Sequence, residues 1–289
     1  MSDAVSALIG MILASHGAVV AVRRCHPMLH DGDANIRFYR SPGLDDVEFF
    51  HSDVNGHRFA PHSHDHHALA IILEGAFALE RGRGVQTLGP GSVVWVPAGE
   101  VHGGHRLGTQ PCRYQMTYLS DAFVTAVIGT GTISERPFHC ARTFQTLNAL
   151  HRSCRTVGKG KVKDQLGDVL RRLCARFGGE EPERVRRHPV MDRAVSLLME
   201  GDRDVADLAR KVGLHPVTLS RLFSESVGLP PHAFRIDRKV QEARSRIQRG
   251  ASLADVSADL GFADQSHLTR HFKRRFGLTP GAYSRQIRG

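Results

Sequence analysis

The C-terminal third of the sequence contains two copies of one short pattern, and this repeat constrains the fold more than any other feature. Val205–Gly213 aligns with Leu253–Gly261 at an offset of 48 residues. Leu219–Phe223 and Gly228–Pro231 align with their counterparts at an offset of 49. Two units are too few for a solenoid, which needs about three repeats to bury a continuous core. The repeat therefore predicts two copies of a small helical unit.

Each copy predicts two helices joined by a sharp turn. The first helix begins after Asp204 or Ser252, which are both favoured N-cap residues. Gly213 or Gly261 then permits the tight turn of a helix-turn-helix. The apolar residues expected inside recur at helical spacing: Val205, Leu208, Val212, Leu219, Leu222, Phe223 and Val227, then Leu253, Val256, Leu260, Leu268, Phe272 and Phe276.

The second helices, expected at about Pro216–Val227 and Gln265–Phe276, present polar side chains outward. Such side chains read base edges or contact phosphates, and we expect Lys273, Arg274 and Arg275 to add positive charge beside the DNA backbone. The alternative is that these basic residues form a solvated helix face that does not bind DNA. The residues assigned to DNA are His215, Val217, Thr218, Ser220, Arg221, Asp264, Gln265, Ser266, His267, Thr269, Arg270, Lys273 and Arg274.

Charge is unevenly distributed along the chain, whose net charge is +10 over 289 residues. From Arg184 onward there are 20 Lys or Arg against 11 Asp or Glu, whereas up to Glu183 there are 19 against 18. A near-neutral part joined to a basic part fits a polyanion bound by the basic end. The alternative is that the charge serves solubility alone.

The second copy continues into a longer motif, Gly261-Phe-Ala-Asp-Gln-Ser-His-Leu-Thr-Arg-His-Phe-Lys-Arg-Arg-Phe-Gly-Leu-Thr-Pro280-Gly-Ala-Tyr283. This motif resembles the signature of the AraC/XylS family of bacterial transcription regulators, and the likeness extends over about Pro189–Arg288. The resemblance implies two helix-turn-helix subdomains joined by a long helix, here about Pro231–Gln248, with both recognition helices in successive major-groove segments. It also implies promoter or operator DNA and RNA polymerase as partners, and activation as a frequent mode.

The region Ile36–Tyr118 has short apolar runs bounded by Gly and Pro, a pattern typical of a β-sandwich or barrel. Gly56–His64 fits the cupin pattern of Gly, five residues and His-x-His, and Gly91–His102 fits its second half. The segment resembles the effector-binding arm of AraC-type regulators, which implies a small-molecule effector in the barrel mouth. The candidate ligand-binding residues are His62, His64, His67, Trp95 and His102.

A metal-dependent cupin enzyme or metal sensor is the alternative function for the barrel. His62, His64 and His102 stand where such cupins place metal-binding histidines, but the Glu expected near Ala68–Leu69 is missing, and only His66 or His67 lies nearby to replace it. The sequence contains neither a G-x-S-x-G motif nor a phosphate-binding glycine loop. We therefore expect no enzyme activity and no required cofactor.

The sequence thus predicts an α+β protein: a cupin-like β-barrel, linker helices, and an all-α C-terminal domain with two helix-turn-helix motifs. The expected divisions are an extension at 1–35, the barrel at 36–120, a helical linker at 121–183 and the DNA-binding domain at 184–289. The apolar stripes of Arg142–Cys154 and Lys161–Phe177 either form a homodimer interface or the surface that transmits a ligand-induced change, or they are packed inside the monomer.

Two features of the sequence predict where in the cell the protein is located. Ala4–Val22 is apolar and near the length of a membrane span, but no basic region precedes it, so we do not expect an anchor. Five scattered cysteines without a C-x-x-C pair are typical of free thiols in a reducing compartment. Both features favour a cytoplasmic protein.

Overall fold

The computed structural model describes residues 35–41, 43–54, 57–82, 84–178, 189–201 and 204–288. The apolar run at 4–22, nearly all of the expected extension, and Gly56 of the first cupin-like segment lie outside these ranges. Among the helices that are described, none is both long enough and apolar enough to span a bilayer.

The N-terminal half folds into two antiparallel sheets within the described ranges. One has the strand order β1-β2-β9-β4-β7-β10 and the other the order β3-β8-β5-β6. The strands are β1 Asn35–Tyr39, β2 Val47–Val54, β3 Arg58–His62, β4 His67–Glu74, β5 Ala76–Arg81, β6 Gly84–Leu88, β7 Ser92–Val96, β8 His102–Leu107, β9 Cys112–Leu119 and β10 Phe138–His139.

The segments 68–73 of β4 and 93–96 of β7 are apolar on both faces because both faces of these strands are covered. Side chains alternate across a strand, so Ala70 and Val94 face the space between the sheets, while Leu69 and Trp95 face the opposite side. The long apolar runs seen in the sequence are therefore central strands of a covered sheet.

Three helices cover the outer face of the larger sheet: α1 Asp121–Ile128, α2 Ala141–Ser153 and α3 Lys159–Phe177. The apolar stripes of α2 and α3, including Leu147, Leu150, Leu166 and Leu170, are buried against this sheet within one chain. Of the two interpretations of these stripes, the structure favours the monomer core. The same side chains are consequently not a surface for a second copy.

The C-terminal half is helical in every described element. The helices are α4 Pro189–Glu200, α5 Val205–Lys211, α6 Pro216–Val227, α7 Pro231–Gln248, α8 Leu253–Asp259, α9 Gln265–Phe276 and α10 Pro280–Arg288. The second helices of the two copies and the long helix α7 have the bounds expected from the sequence.

Both copies of the repeat use the same cap and the same turn. The Asp204 side chain accepts a hydrogen bond from the Asp207 amide, as Ser252 does from Asp255. After each first helix a glycine has a positive φ, +70° at Gly213 and +64° in the second copy. The shared backbone geometry makes α5–α6 and α8–α9 equivalent helix-turn-helix units.

The barrel core continues into the second unit, whereas the first unit has a core of its own. Phe38 and Phe50 of the barrel belong to the same buried cluster as Phe272 and Phe276 of α9. The first unit is centred on a separate cluster that includes Phe223. The second helix-turn-helix is thus packed on the barrel as part of one hydrophobic core.

Candidate nucleic-acid interface and effector cavity

Helix α6 presents an outward face of mixed chemistry. Val217 is 71% exposed, which is unusual for a large apolar side chain, while Thr218 and Ser220 are partly buried. The exposed Arg221 pairs with Glu225 at 3.3 Å. His215 is the N-cap, and its Nδ1 accepts from the Val217 amide at 3.4 Å. The capping role of His215 was not expected.

Helix α9 presents a more basic outward face. The exposed residues among those assigned to DNA are Asp264, Gln265, Ser266, Arg270, Lys273 and Arg274, and Thr269 is partly buried. The Asp264 carboxylate accepts from the His267 amide at 2.6 Å and so caps the helix. The His267 ring lies beside His271, with their Nε2 atoms 2.9 Å apart. Asp264 and His267 are therefore partly committed to contacts within the unit.

The position of Arg275 differs from the expectation that this residue adds positive charge beside the DNA backbone. Its guanidinium is buried, pairs with the Asp237 carboxylate of α7, and donates to the Ser63 carbonyl oxygen beyond β3. The reason is helical geometry, because Arg275 lies between Phe272 and Phe276 on the side of α9 that faces the barrel.

A cavity of about 650 Å³, counting the space at its open side, lies between the two sheets and the end of α9. Most of the lining is apolar and aromatic. One end, which we call the polar end, is formed by His62, His102, Tyr118 and Arg275, and Phe276 lies beside it. The C-terminal half thus supplies part of the cavity wall.

The histidines near the polar end are held in one tautomer by the backbone. His62 Nδ1 and His102 Nδ1 donate to the carbonyl oxygens of Ala60 and Glu100 at 2.7 and 3.0 Å. Burial lowers the pKa of His102 to about 4, and burial together with the neighbouring His102 holds the pKa of His62 well below its usual value. Both rings are therefore neutral at pH 7.

The structure separates the other three predicted ligand-binding residues from the lining. His64 is buried behind the polar end, 4.8 Å from the His102 ring centroid. His67 stacks on Trp95 at 5.0 Å, and Trp95 faces the helices on the outer side of the sheet. His67 and Trp95 thus do not line this cavity, because their positions on β4 and β7 have the opposite parity to the lining residues.

The metal hypothesis receives no support from the geometry. Across the described ranges, no group of three or more His, Cys, Asp or Glu side chains is arranged to hold a metal ion. Ala68 stands near the place of the carboxylate that such cupins use. We treat His62, His64 and His102 as polar groups of a ligand pocket.

A second buried polar cluster joins the barrel to the DNA-binding half and had no signal in the sequence. Arg244 of α7 pairs with Glu48 of β2, and the Tyr283 hydroxyl donates to Glu48 at 3.0 Å. The Arg244 guanidinium also lies over the rings of Tyr118 and Phe276, 5.2 and 5.3 Å from their centroids. Glu48 is separated in the sequence by 196 residues from Arg244 and by 235 from Tyr283, beyond the reach of local patterns.

Comparison with models of known protein families identifies the family of this chain. A model described as an AraC-like ligand binding domain matches residues 46–198, more than half of the chain. The chain belongs to the AraC family. A second model, described as a helix-turn-helix domain, matches residues 208–286 of this AraC-family protein.

Curated relatives of this AraC-family chain include two named regulators. It is 26% identical over 216 residues to the arabinose operon regulatory protein of Salmonella typhimurium, covering 67% of this chain and 74% of that protein. It is 32% identical over 77 residues to the virulence regulon transcriptional activator VirF of Yersinia enterocolitica, covering 26% of this chain. The chain covers only 28% of the length of VirF.

Among solved structures, ToxT of Vibrio cholerae has a similar fold. The structure of ToxT with a bound unsaturated fatty acid matches with a TM-score of 0.51 at 14% identity, covering 88% of this AraC-family chain and 95% of that one. At this identity the likeness concerns the fold, namely a sheet-rich N-terminal half followed by paired helix-turn-helix units.

Proposed function

We propose that the chain is a sequence-specific DNA-binding transcription regulator whose DNA-binding half responds to a small apolar molecule in the barrel. The observation that carries this proposal is the composite wall of the cavity, because Arg275 and Phe276 at the end of α9 line it together with barrel residues. A molecule that fills the cavity contacts a recognition helix directly. Its binding energy can therefore favour one arrangement of that helix over another.

The exposed faces of α6 and α9 are the proposed DNA contacts. Arg270 and Arg274 are exposed cations for which the described residues provide no acidic partner. They suit a phosphate backbone or a guanine edge. The polar and apolar residues of α6 and the first turns of α9 suit base contacts. The remaining outward residues named from the sequence belong to the same proposal.

The relatives support regulation of transcription and an effector. VirF is named an activator, and one ToxT structure is named for a bound unsaturated fatty acid. We include promoter DNA, a small-molecule effector and RNA polymerase as partners, with activation as the proposed mode. A homodimer, if this chain forms one, uses a surface other than the buried stripes of α2 and α3.

Selection of DNA from a random duplex pool by the full-length chain tests the proposal. We expect enrichment of one sequence with two conserved blocks about one helical turn, 10–10.5 base pairs, apart. The variant Arg171→Ala serves as a control that should select the same duplex, since Arg171 is exposed on α3 in the other half of the chain and pairs with Asp168 on the same helix. Recovery of no preferred duplex contradicts the proposal. Unchanged affinity across a metabolite panel contradicts the effector part alone.

A further inference from the structure

The polar end of the cavity presents two bare hydrogen-bond acceptors. A carbonyl oxygen can only accept, so the contacts to Ala60 and Glu100 place the proton of each ring on Nδ1. In a neutral imidazole the other nitrogen, Nε2, is then an acceptor. Neither His62 Nε2 nor His102 Nε2 has a hydrogen-bond partner among the described residues, and both side chains line the cavity.

Donors at the polar end are also available. Among the described residues, the Tyr118 hydroxyl has only the weak acceptor Met116 Sδ, at 3.9 Å. Arg275 Nε is buried and has no hydrogen-bond partner in the same part of the chain. A ligand group that both donates and accepts can therefore satisfy an imidazole and either of these donors at once, and a hydroxyl is the smallest such group.

The charges around the cavity are already balanced. The Arg275 guanidinium is paired with Asp237, and the Arg244 guanidinium behind Tyr118 is paired with Glu48. Burial raises the pKa of Tyr118 to about 12, so this group is neutral as well. A carboxylate brought into the cavity meets no uncompensated cation, and a buried unpaired charge is strongly unfavourable.

We propose that the cavity binds an uncharged apolar compound bearing a hydroxyl group, a phenol or an alcohol, whose hydroxyl donates to Nε2 of His62 or His102 and accepts from the Tyr118 hydroxyl or Arg275 Nε. This inference rests on the proposed function in taking the cavity as the effector site. It departs from the fatty acid named for ToxT, which carries a carboxyl group. The aromatic lining, including Phe38, Phe50 and Phe77, suits a flat ring on the same ligand.

Three probes with one apolar body test this class on the full-length chain: para-propylphenol, para-propylbenzoate and propylbenzene. We expect calorimetry at neutral pH to show the phenol binding about tenfold more tightly than propylbenzene, the step in affinity that one hydrogen bond provides. We expect the benzoate to bind more weakly than the phenol. Benzoate binding as tight as the phenol, or no detectable phenol binding up to its solubility limit, overturns the proposal.

A variant locates the contact. In the double variant His62→Phe/His102→Phe the rings remain and both acceptors are lost, so the buried phenol proton has no partner and the tenfold preference over propylbenzene should disappear. His139→Phe, on the exposed side of the short strand β10, should keep the tenfold preference. A preference that survives in the double variant contradicts the assigned acceptors. Should the double variant misfold, the comparison of the three probes on the unmodified chain still decides the ligand class.

Measuring affinity for the selected duplex in the same preparations separates this inference from the proposed function. Specific DNA binding without phenol binding contradicts the proposed ligand class but not the proposed regulatory function. If the phenol binds with the expected order of probes but no duplex is preferred, the proposed regulatory function is contradicted. The assignment of the cavity to a hydroxyl-bearing ligand is then still supported.

Discussion

Arg270 and Arg275 lie five residues apart on α9 and have opposite surroundings. Arg270 is exposed on the outward face, whereas Arg275 is buried against Asp237 at the cavity. Five residues correspond to about 140° around a helix of 3.6 residues per turn. One short helix therefore carries cations for two purposes, with the outward cations proposed for DNA and the inward cation part of the cavity wall.

The outward cations of α9 should differ in what they recognise. We expect Arg270→Ala to weaken binding to the selected duplex by about 1–3 kcal/mol with a smaller effect on random duplexes, because an arginine that reads a base carries specificity. Lys273→Ala should weaken binding to all duplexes alike and lower the slope of log affinity against log salt by about 1. Fluorescence anisotropy across a salt series measures both quantities.

Arg171→Ala is again the control, because it removes an exposed arginine of the sensor half. If both α9 variants bind the selected and random duplexes like the unmodified chain, the face assigned to DNA on this helix is wrong.

Val217 should recognise the methyl group of a thymine. Apolar side chains distinguish thymine by this methyl group, and Val217 is exposed at the start of α6. Replacing the contacted thymine with deoxyuridine should weaken binding by about 0.8 kcal/mol, the value of one buried methylene-sized group, and by less in Val217→Ala. Met199→Ala, which truncates another exposed apolar side chain, should retain the full loss. Equal losses in Val217→Ala and the unmodified chain would argue against this contact.

At the scale of the elements, two glycines with similar backbone geometry have different neighbours. Gly213 ends the turn of the first unit with φ +70° and has open space where a Cβ would stand. Gly277 ends α9 with φ +76°, and a Cβ there would meet Ile36 Cδ1 of β1 at 2.0 Å. Only the second glycine is therefore required by packing as well as by backbone conformation.

Alanine substitutions at these glycines should separate the two requirements. Gly213→Ala should cost about 1–2 kcal/mol, since an L-residue is strained in the left-handed region. Gly277→Ala should cost more, because Ile36 must also move away from the end of α9. Urea unfolding of the full-length chain compares them. Equal losses of stability would mean that β1 does not press on α9 in solution.

Strands β1 and β2 contact helix α2 through a buried polar cluster outside the cavity. His51 Nε2 lies 2.9 Å from His151 Nδ1, and the Tyr39 hydroxyl contacts both rings. Burial, with a smaller contribution from the Arg37 charge, lowers the pKa of His51 to about 4. The ring is therefore neutral in the folded chain at pH values where it is protonated in the unfolded chain.

This difference makes stability depend on pH in a defined window. Since the unfolded chain binds more protons between about pH 6.5 and 4, stability should fall as pH falls through that window. His51 contributes less than about 1.4 kcal/mol per pH unit, because it is partly exposed. Urea unfolding across this range should show a shallower decline in His51→Asn and an unchanged one in His139→Asn. A steeper or identical decline in His51→Asn contradicts the assignment.

The sequence predicted those parts of the fold that depend on neighbouring residues. Helices α6, α7 and α9 could be bounded from caps, glycines and apolar spacing, because these signals lie within a few residues of one another. The parity of His67 and Trp95 depends on which face of the sheet is covered by helices, and local pattern does not contain that information. The burial of Arg275 depends on Asp237, 38 residues earlier and on another helix.

At the scale of the whole molecule, the buried ion pair between Asp237 of α7 and Arg275 of α9 connects both helices to the barrel. Asp237 pairs with Arg275 and also accepts hydrogen bonds from the Ser63 amide and hydroxyl, both at 3.1 Å. Ser63 lies between His62 of the polar end and the buried His64. The position of the mouth therefore depends on a carboxylate of the DNA-binding half.

Removing this carboxylate should destabilise the chain strongly. We expect Asp237→Asn to cost about 3–5 kcal/mol in urea unfolding, because the Arg275 guanidinium is left buried without its counter-charge. The double variant Asp237→Asn/Arg275→Met should recover much of that loss, since neither charge is then buried. Glu225→Gln, which breaks the exposed pair with Arg221, should cost at most about 1 kcal/mol. Similar losses in the two single variants would contradict a buried pair.

Because α9 forms part of the cavity wall, the proposed effector site cannot be transplanted with the barrel alone. A hybrid regulator made by joining this barrel to the DNA-binding half of another protein, through residues 179–188, would lose the side chains of Arg275 and Phe276 from its pocket. The foreign helix would have to supply a matching aromatic residue and a cation facing Ser63. Engineered sensors based on this chain therefore need the end of α9 to be exchanged as part of the barrel.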